Sequence, residues 1–454
     1  MVPPSVGASR QRPVAVILAG GANSRFWPLR EKSLIWFCGE TLLARQVRLL
    51  ADAGVDAAVV VGNPGNADAL RAELAHAGRG DVHVVVQPEP RGMGDALMHA
   101  RPLIDEQFGG RAVLVSQVHD VTEPGLLRRL VEEADGDADG WVVGQRVAEY
   151  FPGGYVILDG DRVTGIVEKP GAGNEPSDVV SLVLHVLRDP RALFDALDEA
   201  AARDTGGDDH YERALAALMR RGNARLVRYD GRWQPIKYPW HVLDAMELLL
   251  SDLGEPRVAD NVRLAPGARI TGPVVVEPGV RLFANAQVVG PAYVGAGTIL
   301  GNNVLVRGSV IGPGCVVGIN SEVARSHVGA RCEFHENYVG DSVVAAGTSF
   351  GAGAITGNLR LNERPIRSIV KGEVVDTGRP KLGAICGEGV RLGINAMLMP
   401  GVKVGRGSAV GPGVILLEDL PDRTRVLVKQ DLVYSPNAPA RGDRAAFRSK
   451  LPSE

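Results

Sequence analysis

Two adjacent glycines followed by spaced cations mark the place in this 454-residue chain where phosphate chemistry could occur. The segment reads Leu18-Ala19-Gly20-Gly21-Ala22-Asn23-Ser24-Arg25, followed by Pro28-Leu29 and then Glu31-Lys32-Ser33-Leu34. Glycines let backbone N–H groups approach a phosphate closely, and Arg25 and Lys32 bring the positive charge that phosphoryl transfer requires. A Gly-Gly pair alone would say little. Its weight comes from following an apolar strand and preceding two well-spaced cations.

The elements that must hold this loop follow from the hydrophobic pattern. An apolar strand, Val14 to Leu18, runs into the loop, and the amphipathic segment Leu42 to Ala53 comes after it. Further strands at Ala57 to Val61, Val82 to Val86 and Ala112 to Val115 alternate with helical stretches. Such alternation predicts a Rossmann-like α/β domain with a mainly parallel sheet over residues 13–250. Ligands of these sheets gather at the carboxyl ends of the strands, where the Gly-Gly loop lies.

From Val258 the pattern changes. Aliphatic residues stand at every sixth position: Val258, Leu264, Ile270, Val276, Leu282, Val288, Val294, Leu300 and Val306. A period of six is neither helical nor that of a single strand, and it predicts hexapeptide coils stacked into a left-handed parallel β-helix over residues 255–425. The repeat slips by one at Ile311, Val317 and Val323 and resumes at Leu392, Leu398, Val404, Val410 and Leu416. The polar stretch Asn358 to Pro380 is too long for one coil and is expected to be an excursion loop. Such solenoids commonly assemble as homotrimers, and the β-helix is expected to do so without help from the α/β domain.

Composition sets the wider limits. With 45% hydrophobic and 23% charged residues, the chain can fill two sizeable cores. A formal charge of -3 gives no reason to expect nucleic acid, and no run of apolar residues is long enough for a membrane span. The segment before Pro13 lacks the apolar stretch of a signal peptide, so a cytoplasmic protein is expected. Cys38, Cys315, Cys332 and Cys386 are scattered without metal spacing and are expected to be reduced. Residues 1–12 and 435–454 are expected to be flexible tails.

The loop at Gly20 resembles the signature of the sugar-1-phosphate nucleotidyltransferases, with Asn23 where that family usually has a glycine-like residue. Three more blocks follow in the family's order: Gln87-Pro-Glu-Pro-Arg-Gly92, the strand leading to His119-Asp120, and Glu168-Lys169-Pro170 with Gly153-Gly154-Tyr155 before it. The resemblance implies that Leu18, Ala19, Gly20, Gly21, Gln87 and Gly92 bind a nucleoside triphosphate. It implies that Arg25 and Lys32 serve the phosphates, that Asp120 binds Mg²⁺, and that Gly154, Glu168 and Lys169 meet a sugar 1-phosphate. The family often adds a second metal carboxylate in a Trp-x-Asp-Ile-Gly motif, where this chain has Trp233-Gln234-Pro235-Ile236-Lys237. It also expects Asn and Gly near the strand Val180 to Leu187, where Ser181 and Val183 stand.

The octapeptide His335-Glu336-Asn337-Tyr338-Val339-Gly340-Asp341-Ser342 resembles the acetyltransferase half of bifunctional enzymes that acetylate and nucleotidylate an amino sugar 1-phosphate, the archaeal form above all. By that resemblance His335 is the general base, a role a neutral imidazole suits. Tyr338 and Asn358 bind the sugar, Arg364 and Arg367 its phosphate, and the carbonyls around Ala384 line a groove for acetyl-coenzyme A. The family usually has Lys where Ala324 stands, beside Arg325. Two other functions stay open on the sequence: an acyltransferase whose N-terminal half is inactive, and a non-catalytic scaffold that binds nucleotide sugars.

Overall fold

The structure, a computed structural model, describes residues 11–203, 209–437 and Ser449. The expected flexible tails fall almost wholly outside these. Nine strands form the N-terminal sheet. His83–Val86, Ala57–Gly62, Val14–Leu18 and Val113–Gln117 run parallel side by side. Val179–Leu187 then pairs antiparallel with Val113–Gln117 and with Gly140–Arg146, and a bulge interrupts it between Ser181 and His185. Ala224–Arg228, Arg162–Glu168 and Gly154–Asp159 complete the far edge.

Every residue of Val14–Leu18 is buried, as expected of a strand covered on both faces. Helix Leu42–Asp52 packs on one side through Leu43, Val47 and Leu50, and helix Met93–Gln107 on the other through Leu97, Ala100 and Ile104. The first of these helices starts where Thr41 Oγ1 accepts the N–H of Ala44 at 3.1 Å. Because Leu18 is in register with Gln117, the Gly-Gly loop and His119-Asp120 leave the sheet at the same edge.

Beyond helix His241–Ser251 the chain winds into three parallel sheets of eight, nine and eight strands. Valines, leucines and the edge-to-face pair Phe334 and Phe350 fill the prism, each contributing about 1.5–3 kcal/mol by burial. Early coils advance by 18 residues, Leu264 facing Leu282, and later ones by 17 and 16, Val317 facing Phe334 and Val328 facing Val344. The expected slip lies at a corner: Gly308, at φ +56, stands in for the pair Gly290-Pro291 of the coil before. Asn285, Asn303 and Asn320 occupy left-handed corner positions and form a ladder, with amide bonds of 3.2 and 3.1 Å. Cys315, Cys332 and Cys386 lie unpaired in this core, and Cys38 is unpaired in the other domain.

The excursion is more ordered than a loop. It contains a hairpin, Arg367–Val370 against Glu373–Asp376, and it docks on the α/β domain, where Arg379 pairs with Asp244 and Glu247. The two domains also share a core: Val275, Tyr293, Val310, Val343 and Ile385, on the outer face of the first β-helix sheet, join the cluster around Leu43 and Trp240. Trp36 packs edge-on against Tyr293 at 5.2 Å, and His327 Nε2 lies 2.8 Å from Trp36 O. That face of the β-helix is therefore covered by the α/β domain. No described helix is long and apolar enough to cross a membrane.

Candidate active sites

The Gly-Gly loop is tied down from behind. Ala19 N–H donates to Val61 O at 2.8 Å, while Asn66 Nδ2 and Asn63 Nδ2 donate to the carbonyls of Ala19 and Gly20 at 2.9 and 3.1 Å. With its carbonyls drawn back, the loop leaves the N–H groups from Gly20 to Arg25 without a protein acceptor among the described residues. This is a nest suited to phosphate oxygens. A Cβ on Gly20 would come within 3.1 Å of Gln87 Oε1 and 3.2 Å of Gly62 O, so a larger residue would push the Gln87 amide aside. Asn23 adopts φ +51, the left-handed conformation its type tolerates.

Glu31 is the residue the sequence did not single out. Its Oε2 accepts from Asn66 Nδ2 at 2.8 Å and from Asn23 Nδ2 at 3.2 Å, and its Oε1 accepts the N–H of Ser33 at 3.2 Å. One carboxylate thus fastens both ends of the loop to the neighbouring strand's turn. The signal was present as a carboxylate beside Lys32, but its partner Asn66 is distant in sequence.

Among the described residues the side chains of Arg25 and Lys32 have no hydrogen bond or ion pair; Arg25 lies 6.0 Å from the Tyr238 ring and Lys32 5.5 Å from that of Phe26. Burial first, and then repulsion from Arg25, lowers the Lys32 pKa to about 8, so it stays cationic at neutral pH. Asp120 stands within the field of the same cations. Its pKa is pushed up to about 6 by burial, partly offset by Trp233 Nε1, 3.4 Å from Oδ1, and by Lys237 and Lys32. His119 beside it is held neutral, near 3, by burial and by those cations.

The remaining blocks lie on strands and turns of the same sheet. Gln87 is buried, and its Nε2 donates to Gly92 O at 3.1 Å and to Asp95 Oδ2 at 2.7 Å. Both amide hydrogens are thus used, and only the oxygen beside Gly20 is left for a base. Glu168 pairs across the ladder with Gly154, where a Cβ would meet the carboxylate at 3.3 Å, and it forms a 2.6 Å ion pair with Lys169. Ser181 borders a bulge and Val183 lies within it, and the Ser181 hydroxyl is engaged with His185 Nε2 at 2.9 Å.

A Mg²⁺ site built from paired carboxylates does not form here, because Asp120 has a proline opposite it. The strand Trp233–Pro235 pairs with Asp120–Thr122 so that Pro235 faces Asp120. The Pro235 carbonyl is itself occupied, accepting from Gln234 Nε2 at 3.1 Å and lying 2.9 Å from His241 Nδ1. Among the described residues no group of three His, Cys, Asp or Glu side chains could hold a metal ion.

The second constellation lies on the β-helix. Three residues, His335 to Asn337, turn the corner between Phe334 and Tyr338, where the coil before uses four, Gly318 to Ser321. Asn337 makes the contraction possible: its Oδ1 accepts the N–H of His335, and its Nδ2 donates to Gly351 O at 2.9 Å and Ala354 O at 2.8 Å. His335 is exposed, and the register places Gly318 and Gly351 next to it in the adjoining coils, leaving open space around the imidazole.

Nearby, Asp341 is buried and accepts a two-pronged ion pair from Arg325, both bonds 2.7 Å. It also accepts from Asn358 Nδ2 at 2.5 Å, and that amide lies 3.1 Å from the Tyr338 hydroxyl. Tyr338 and Asn358 are therefore brought together, and the cation at the Ala324 corner is Arg325, while Ala324 itself is buried. Arg364 and Arg367 are exposed on the excursion and make no hydrogen bond or ion pair with this group. Ala384 lies in the core, where its carbonyl accepts from Val343 N–H at 3.0 Å and its own N–H donates to Ser342 Oγ at 3.1 Å.

A Gly-rich loop on an α/β domain, joined to a hexapeptide solenoid with an exposed histidine, is the arrangement of a two-domain transferase. Residues 14–236 match the nucleotidyl transferase family, and residues 383–417 match the bacterial transferase hexapeptide of six repeats. The N-terminal domain thus belongs to the nucleotidyl transferase family, joined to a hexapeptide-transferase β-helix. Over 415 residues the chain is 26% identical to a bifunctional sugar-1-phosphate nucleotidylyltransferase/acetyltransferase of Sulfurisphaera tokodaii, covering 89% of this chain and 98% of that one. It is 29% identical to the bifunctional protein GlmU of Methanococcus vannielii, covering 92% and 98%. The bifunctional protein GlmU of Gloeobacter violaceus is 27% identical, with 92% and 97% covered.

Proposed function

We propose that the protein joins a nucleoside triphosphate and a sugar 1-phosphate into a nucleotide sugar, and also acetylates an amino sugar 1-phosphate with acetyl-coenzyme A. The observation that carries this is the presence of both constellations on one chain that spans nearly the full length of relatives named as bifunctional.

In the first reaction a phosphate oxygen of the sugar phosphate attacks the α-phosphorus, and the bond to the β-phosphate oxygen breaks with its electron pair leaving on pyrophosphate. No covalent enzyme intermediate is needed, so the protein's task is positioning and charge. The free N–H groups from Gly20 onward cradle the triphosphate, Arg25 and Lys32 neutralise the departing charge, and Gln87 Oε1 meets the base. Gly154, Glu168 and Lys169 hold the sugar phosphate.

In the second reaction His335 takes a proton as the amine attacks the thioester carbonyl, and the C–S bond breaks to release coenzyme A. Tyr338 and Asn358 position the sugar, and Arg364 and Arg367 reach a phosphate from the excursion. A homotrimer through the β-helix is supported by the row of exposed apolar residues Ile355, Met397 and Ile415, register partners on the third sheet. A panel of nucleoside triphosphates and sugar 1-phosphates, assayed for pyrophosphate and for coenzyme A thiol, tests both halves. Failure of every combination to yield either product would refute the proposal.

A further inference from the structure

The α/β site has an unusual balance of charge. Three cations, Arg25, Lys32 and Lys237, act on Asp120 or on one another, while the position facing Asp120 is a proline whose carbonyl is already bonded. Lys237 is not a loose surface lysine. Its ammonium donates to Pro152 O at 3.0 Å and lies 4.0 Å from the Phe151 ring. Those two residues lead directly into Gly153-Gly154, the edge that pairs with Glu168. Ile236 N–H, one residue before the lysine, donates to His119 O at 2.9 Å, which anchors this segment to the one carrying Asp120. The ammonium is thereby fixed between the Asp120 ladder and the sugar-phosphate edge, the region where an entering phosphate meets the triphosphate.

We propose that Lys237 supplies from the protein itself the positive charge that a metal ion held by paired carboxylates would otherwise bring to the reacting phosphates. The inference rests on the nucleotidyl-transfer proposal and deepens it. A lysine is a compact point charge with three donors, able to hold phosphate oxygens without the geometry a metal shell requires. Asp120 then serves as counter-ion to the cation cluster and keeps the site from being a region of unrelieved positive charge. The same two departures from the family motif, Pro235 and Lys237, form one exchange: a ligand is lost and a fixed cation is gained two residues on.

The test uses the full-length protein and Mn²⁺ as probe. Electron paramagnetic resonance of Mn²⁺ added to the free wild-type protein should show no stoichiometric bound ion, while the double variant Pro235→Asp/Lys237→Gly should acquire one. In turnover, Lys237→Met should lower pyrophosphate release about 100-fold, Lys237→Arg should recover much of it, and acetyl transfer should be unchanged in both. Wild-type protein that binds one Mn²⁺ lost in Asp120→Asn would overturn the inference, as would full pyrophosphate release by Lys237→Met. If the wild type makes no pyrophosphate from any nucleotide, the nucleotidyl proposal fails, and calorimetric binding of the metal-free triphosphate still decides on the lysine. Weaker binding by Lys237→Met supports it there, and equal binding overturns it.

Discussion

Glu31→Ala should damage nucleotidyl transfer more than any other substitution that leaves the cations and glycines in place. The carboxylate accepts three hydrogen bonds, from Asn66, Asn23 and Ser33. Bonds to a charged acceptor are worth about 1.5–3 kcal/mol each, but these three share one side chain and do not add. Water also reaches the partly exposed site, so the loss of stability is expected to be about 2–4 kcal/mol. Glu31→Gln is the finer probe. Its oxygen can keep Asn66 and Asn23, but its amide would then face the Ser33 N–H, donor against donor, at a cost of about 1–3 kcal/mol.

The effect on catalysis follows from geometry. Asn66 also fixes the Ala19 carbonyl and Asn23 holds the left-handed turn, so loss of their common acceptor lets the phosphate nest move. A displacement of about 1 Å in a positioning site costs on the order of 10²-fold in rate. Chemical denaturation and pyrophosphate release would be measured on wild type, Glu31→Ala and Glu31→Gln, with coenzyme A release as the internal control. Undiminished pyrophosphate release in Glu31→Ala would refute the idea that this carboxylate organises the loop.

Three further outcomes are expected. Because Lys32 and Lys237 hold pKa values near 8, lowered first by burial, the charged forms predominate below that value. The kcat/KM for pyrophosphate release should therefore fall as pH rises through about 8, and a profile flat to pH 10 would contradict the charge assignment. Asp341→Ala should cost about 2–4 kcal/mol by stranding Arg325 and Asn358, and should reduce acetyl transfer but not nucleotidyl transfer, as read by thermal unfolding and the paired assays. The excised β-helix, residues 255–425, would expose Val275, Tyr293, Val310, Val343 and Ile385; sedimentation should show it associating heterogeneously, and a clean, soluble trimer would contradict the shared core.

Much of this was legible because the relevant signals are local. The period of six located the solenoid and even its slip, since each aliphatic residue occupies one strand of a coil. The Gly-Gly loop declared itself because the glycines and both cations lie within one short segment. What escaped were relations made by folding. Asn66 reaches Glu31 from another strand's turn, and Arg325 reaches Asp341 only because the shortened coil puts them in adjacent corners. Asn337 stood inside the quoted octapeptide, yet its role as a substitute for a lost corner residue needs the coil lengths. The Ala384 carbonyl likewise shows its partner, Val343 N–H, only in the folded ladder.

The most direct test of two independent chemistries on one chain is a crossed assay of a single preparation. Wild type, Arg25→Ala and His335→Ala would each be followed for pyrophosphate release and for coenzyme A thiol. Arg25→Ala should lose about 10²-fold in the first rate and His335→Ala about 10²- to 10⁴-fold in the second, each leaving the other rate near that of wild type. Loss of both activities in either variant, or of neither, would contradict the assignment of two separate sites.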